Sequence, residues 1–213
     1  TGSGDSTVFD TVNFMTMGTS RVLHDATERY TAIILAGKLD ARAPVAYTVC
    51  VTAKDYDAPL SPGDTDESYE ISAGVSVANV TAQTVWGALR GIETFSQLVV
   101  ADTKRFALPP TPIHITDHPR FGWRGLMIDT GRNYLTPTSI KMALDGMAYT
   151  KPNVLHWHMT DDESFPVAAT SLPSPAGSGD CRAAHPYSHY KTQQDVPVAR
   201  RKPHTPPTAG RPW

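Results

Sequence analysis

Two short stretches of this chain gather side chains that could do chemistry. The first is Asp129-Thr130-Gly131-Arg132, directly after the apolar run Leu126-Met127-Ile128. The second is Asp161-Asp162-Glu163, directly after the segment 154–159, VLHWHM. A guanidinium and a carboxylate held side by side can hydrogen-bond several hydroxyls at once, because a hydroxyl both donates and accepts. That is the chemistry of holding a sugar. The same groups could instead form an ion pair that closes two strand ends, and residue types alone leave both readings open. His156 and His158 invite a metal reading, since residues two apart on a strand share a face. A third ligand is not identifiable, and His114, His118 and His185 lie in uninformative contexts. Histidines satisfied by hydrogen bonds are the simpler reading, so no metal site and no cofactor is assigned. Trp157 points to the opposite face and reads as core.

These groups need strands to position them. Residues 126–128 form a continuous apolar run, as expected of a strand covered on both faces. Thr136-Pro137 is a helix start with proline at the first helical position. Ile140, Ala143, Leu144, Met147 and Ala148 supply the apolar face, and Lys151-Pro152 ends the helix. Residues 154–159 read as the next strand. Strand, helix and strand make one βαβ unit, and parallel α/β folds collect functional groups at the carboxyl ends of their strands.

The upstream region has a different pattern. Residues 1–19 are polar and rich in Gly, Ser and Thr, and most of them read as a frayed lead-in. Residues 20–35 predict a helix that Ser20 can cap, with Val22, Leu23, Ala26, Tyr30, Ile33 and Ile34 on one face. Residues 46–53 alternate like a strand, 58–66 form a turn-rich loop, and 69–72 and 74–80 are short strands. Asp66-Glu67 reads as surface loop. Residues 81–99 predict a second helix, capped by Thr81, with Val85, Leu89, Ile92, Phe95 and Val99 as its apolar stripe. Gly87 and Gly91 weaken that helix and imply close backbone packing. Pro109-Pro110 stops the chain before a short strand at 113–116. The fold class is therefore an α+β amino-terminal domain over 1–118, followed by parallel α/β over 119–172. Residues 173–213 hold much of the proline, few aliphatics and the basic run Arg200-Arg201-Lys202, and predict a disordered tail.

Composition narrows the partners. A formal charge of -2 over 213 residues argues against nucleic acid or a membrane surface. No apolar run approaches the roughly 20 residues of a membrane helix. Cys50, within the alternation YTVCV, reads as a buried free thiol; the other cysteine is Cys181. Asn79-Val80-Thr81 is a candidate N-glycosylation sequon, usable in a secreted protein. The opening TGSGDS shows neither an initiator Met nor a signal peptide.

Three segments carry a resemblance: GALRGIETFSQLV (87–99), IHITDHPRFGWRGLMIDTGRNYL (113–135) and MAYTKPNVLHWHMTDDESFPV (147–167). Together they resemble the β-N-acetylhexosaminidases, glycoside hydrolase family twenty, over about residues 20 to 173. The resemblance implies a small α+β domain before a (β/α)8 barrel. It also implies release of terminal N-acetylglucosamine or N-acetylgalactosamine from glycans with retention of configuration. Arg132 matches the family's sugar-binding arginine, and Asp161 a family carboxylate that also contacts sugar hydroxyls. TGRNY stands here where many relatives have TSRHY, and the arginine is kept. A secreted, lysosomal or vacuolar location is implied, and a homodimer is one assembly open to the parent enzyme.

In that family the substrate's own acetamide attacks the anomeric carbon, an aspartate orients it, and the adjacent glutamate protonates the leaving oxygen. The family's Asp-Glu pair follows a Gly-Gly near the fourth barrel strand. No such segment occurs here, and Asp162-Glu163 aligns with the second strand's end instead. A (β/α)8 barrel takes roughly 250 residues, far more than follow residue 118. The expectation is a truncated barrel, its first βαβ unit only, with no catalytic residue in this chain and no turnover by it alone. The alternative expectation is a non-catalytic protein with weak glycan or partner binding.

Overall fold

The computed structural model describes residues 6–35, 45–101 and 105–161. The expectations for Asp162, Glu163, Cys181 and the tail 173–213 lie outside the described residues. The chain divides into two units, the first running to Gly122 and the second starting at Trp123.

The first unit opens with strands β1 (Ser6–Phe9) and β2 (Thr11–Thr16), where a frayed lead-in was expected. Thr7, Phe9 and Val12 are buried between exposed or half-buried neighbours. A polar residue at the buried position 7 and apolar ones at the exposed positions 8 and 15 mask this alternation in the sequence. Helix α1 (Arg21–Leu35) follows, and its first turn closes where His24 N–H donates to the Ser20 carbonyl at 2.9 Å. It buries Leu23, Ala26, Tyr30, Ile34 and Leu35, whereas Val22, expected on that face, is exposed.

Strands β3 (Ala46–Asp55), β4 (Tyr69–Ala73) and β5 (Val77–Thr84) come next, then helix α2 (Val85–Leu98). β5 runs past the expected boundary, so Thr84 caps α2 in place of Thr81. Its hydroxyl accepts from Gly87 N–H at 3.2 Å. The ladder decides the matter, since Thr81 pairs with Thr52 on one side and Glu70 on the other. Short strands β6 (Val100–Ala101), β7 (Phe106–Pro110) and β8 (Ile113–Asp117) complete the unit. The Pro109-Pro110 pair ends β7 from within. It lies beyond the residues that pair with β6, where lost N–H donors cost no ladder bond on that side.

The main sheet has the order β2-β3-β5-β4-β8, parallel across β2, β3 and β5 and antiparallel beyond. One face carries Val49, Val51, Val80, Ile71 and Tyr69 into a core shared with α1 and α2. The opposite face is polar. Gly87 and Gly91 seat α2 on the sheet as expected. A β-carbon on Gly87 would lie 2.3 Å from the Ser68 carbonyl oxygen, and one on Gly91 2.5 Å from Val80 Cγ1. Glu67 corrects another expectation. It is only 5% exposed and accepts from Arg90 Nε at 2.7 Å, so it is an α2-facing ion pair and no surface-loop residue. Cys50 is a free thiol, half-buried on the polar face.

The second unit is β9 (Gly125–Asp129), α3 (Pro137–Thr150) and β10 (Val154–His158). β9 and β10 pair in parallel, Gly125 opposite Val154 through Asp129 opposite His158. Thr136 caps α3, accepting from Ser139 N–H at 3.1 Å, and Pro137 is its first residue. Lys151 ends it in the left-handed region, at φ 63°. Asn153 ties the strand starts together, its Oδ1 accepting from Arg124 N–H at 3.0 Å. The double-sided cover expected for β9 is not met among the described residues: Ile128 is buried, but Leu126 and Met127 are exposed. Of the expected α3 face, Ile140 and Met147 are buried and Ala148 is exposed.

Candidate functional site

β9 and β10 end side by side at Asp129 and His158, and the chain turns immediately after. Thr130 and Gly131 N–H groups both donate to the His158 carbonyl, at 2.9 and 3.2 Å. Thr130, 2% exposed, also accepts from Trp157 Nε1 at 2.8 Å. Trp157 is thus a half-buried residue that braces the turn through its polar edge, where plain core packing was expected.

Asp129 organises the turn after β9. Its Oδ1 accepts from the backbone N–H groups of Gly131 and Arg132, at 3.0 and 3.1 Å. Its Oδ2 faces the Arg132 guanidinium, 2.7 Å from Nε and 2.6 Å from Nη2. One carboxylate therefore fixes both the backbone and the side chain of the residue three positions on. The Arg132 backbone N–H, followed by its guanidinium and the Gly131 N–H, holds the Asp129 carboxyl below the usual carboxylate range.

From the neighbouring strand, Asp161 brings Oδ2 to 3.3 Å from Arg132 Nε and 3.7 Å from His158 Nε2. Asp161 is 17% exposed and Arg132 is 55% exposed, so the pair has a guarded carboxylate and an outward-reaching cation. The His158 Nε2 atom is itself buried and makes no hydrogen bond. The two residues singled out for sugar contact, Arg132 and Asp161, are thus adjacent in space. Donors and acceptors stand together at the strand ends, an arrangement suited to a polyhydroxylated ligand.

Of the two histidines offered for a metal, His156 is exposed, and His158 Nε2 stands 3.7 Å from the Asp161 carboxylate. Among the described residues, His24, Asp25 and Glu28 do lie within mutual ligand reach, on the exposed start of α1. The part played by Asp129 was missed in the sequence, although its D-x-x-R spacing after a strand was the available signal. Asn79 lies exposed on the polar sheet face of the first unit, apart from this cluster in sequence and in element. No described helix is long and apolar enough to cross a membrane.

Comparison with known proteins gives the same family over both units. Residues 3–98 match the description "beta-acetyl hexosaminidase like", and residues 121–198 match "Glycosyl hydrolase family 20, catalytic domain". The chain is 40% identical over 164 residues to a β-hexosaminidase of Emericella nidulans, covering 76% of this chain and 27% of that one. It is 43% identical over 136 residues to β-hexosaminidase subunit beta of Homo sapiens, covering 63% and 24% respectively. The X-ray structure of Flavobacterium johnsoniae chitobiase aligns with a TM-score of 0.64 at 27% identity, over 84% of this chain and 29% of that one. The chain spans about a quarter of the length of the curated relatives it matches. With both of its units matched, this chain belongs to glycosyl hydrolase family 20, the β-hexosaminidases.

Proposed function

We propose that this chain provides the sugar-holding part of an exo-acting β-N-acetylhexosaminidase, an enzyme that removes terminal N-acetylglucosamine or N-acetylgalactosamine from glycans. The observation that carries the reading is the Arg132–Asp161 pair, 3.3 Å apart at two adjacent strand ends and set by Asp129. Arg132 donates to ring hydroxyl oxygens, and Asp161 accepts from hydroxyl hydrogens, so the two together orient one terminal sugar. β9, α3 and β10 are the first βαβ unit of a (β/α)8 barrel in this reading, with the site at its carboxyl face.

Cleavage itself is assigned elsewhere. The reading invokes attack by the substrate's acetamide oxygen, with a neighbouring aspartate and a glutamic acid as proton donor. The 213 residues contain no Gly-Gly-Asp-Glu segment, so these residues alone bind without cutting. A secreted, lysosomal or vacuolar setting fits this substrate class.

The test is turnover of a chromogenic N-acetylglucosaminide by the 213-residue chain, alongside sequencing of the complete transcript. The expected outcome is no turnover by the chain and a downstream Gly-Gly-Asp-Glu segment in the message. A message that ends with this sequence would leave a glycan-binding protein. Turnover that Asp161→Asn abolishes would overturn the division of labour.

A further inference from the structure

We propose that Asn79 is an N-glycan attachment site, taking an N-acetylglucosamine-based oligosaccharide on its side-chain amide. Asn79-Val80-Thr81 is the single Asn-X-Ser/Thr sequence in the chain. β5 is the middle strand of the five-stranded sheet, and its alternation turns Asn79 and Thr81 to the polar face while Val80 enters the core. α2 covers the Val80 side, as the approach of Gly91 to Val80 shows. Asn79 therefore stands at the centre of the face that α1 and α2 leave open.

Its surroundings suit a bulky substituent. The pairing register lines up Met15, Cys50, Asn79, Ser72 and His114 in one row across the sheet. Its two immediate neighbours, Cys50 and Ser72, are both small, and Asn79 itself is exposed. Among the described residues the Asn79 side chain holds no hydrogen bond, so a substituent there breaks none. An attached glycan points away from the sheet and stays in water.

The co-reactant is a lipid-linked oligosaccharide diphosphate. The Asn79 amide nitrogen forms a bond to C1 of the first N-acetylglucosamine and gives up a proton, while the bond from C1 to the diphosphate oxygen breaks and the lipid diphosphate leaves. Thr81, two residues on and on the same face, supplies the hydroxyl that the transferase recognises. The inference is independent of the sugar-holding reading, since Asn79 and Arg132 lie in different units.

The test places the full 213-residue chain behind a cleavable secretory signal and translates it in microsomes. Protease-protected, signal-cleaved product is then treated with a glycan-removing amidase, which leaves aspartate at a formerly glycosylated asparagine. Peptide mass mapping of the wild-type chain is expected to show aspartate at position 79 in most of the protected material. Asn79→Gln and Thr81→Val are expected to abolish the glycan, and Thr81→Ser to keep it. Protected wild-type chain with unmodified Asn79, or a glycan that survives Asn79→Gln, would overturn the inference. Loss of sugar binding by the second unit would leave these results unchanged.

Discussion

Asp129 holds Arg132 twice, through the backbone N–H at 3.1 Å and through Nε at 2.7 Å. The arginine is mostly solvated, so its attraction to one carboxylate would be weak without this second anchor. Asp129→Asn keeps an acceptor for the two backbone N–H groups but loses the charge that aims the guanidinium. The expected result is an unchanged circular dichroism spectrum with N-acetylglucosamine binding weakened several-fold. Gly131→Ser is expected to be harmless. A β-carbon there meets nothing closer than 3.4 Å, and the φ of Gly131 is not positive. Unchanged affinity and an unchanged melting temperature would bear this out.

Between α1 and α2 sits a buried carboxylate. Glu93, 3% exposed, accepts from the Tyr30 hydroxyl on one oxygen and from Gln97 Nε2 at 2.8 Å on the other. Glu93→Ala strands the buried Tyr30 hydroxyl, and an unsatisfied buried donor costs about 1–3 kcal/mol. Glu93→Gln retains an acceptor for Tyr30 and should cost clearly less. Urea unfolding of the two variants checks the order, and equal destabilisation would contradict it.

The glycines of α2 give an asymmetric pair. Alanine gains about 1 kcal/mol over glycine in helix propensity, yet both substitutions should destabilise. Gly87→Ala drives a methyl into the Ser68 backbone carbonyl, which cannot rotate away. Gly91→Ala meets a Val80 methyl and the Tyr69 ring, which can shift. Overpacking of about 1–3 kcal/mol is expected for Gly87→Ala, with less for Gly91→Ala, measured by thermal melting. A neutral Gly87→Ala would show that α2 sits further from the sheet.

Stability should fall at both ends of the pH scale. Asp10, Asp66 and Asp129 are held below the usual carboxylate range, led by the Val45 backbone N–H, by Ser68 and by the Arg132 backbone N–H respectively. Each binds its proton more weakly folded than unfolded, so their contribution is present above about pH 4 and is lost as pH drops below it. Tyrosines act in the opposite direction. Burial lifts Tyr47 to about 12, and burial with the Asp117 hydrogen bond lifts Tyr69 to about 12; burial raises Tyr30 as well. Their contribution is complete below about pH 10 and is lost as pH rises toward 12. Tyrosinate absorbance rising together with unfolding, and not before it, is the check.

That these residues lie together was legible because they fall in one short span. Asp129, Arg132 and Asp161 follow two apolar runs, and a parallel βαβ unit must bring such strand ends together. What Asp129 does was signalled only by its D-x-x-R spacing after a strand, since a side chain bonding its own loop leaves no periodicity. In the first unit, long-range pairing overrode local signals. Thr81 looks like a cap, but strands on both sides hold it in β5. Glu67 looks like loop surface until Arg90, distant in sequence, arrives to neutralise it. Buried Thr7 and exposed Val8 and Met15 break the alternation that would announce β1 and β2 before β7 and β3 pair with them.

Everything proposed for the second unit depends on Arg132 and Asp161 holding a terminal N-acetylhexosamine together. Ligand-observed NMR titration of N-acetylglucosamine onto the 213-residue chain, Arg132→Ala, Asp161→Asn and the double variant tests this. Saturable wild-type binding is expected, with at least a tenfold loss in each single variant. Little further loss is expected in the double, because both groups orient one sugar. Wild-type affinity retained in Arg132→Ala and Asp161→Asn would refute the sugar-holding role.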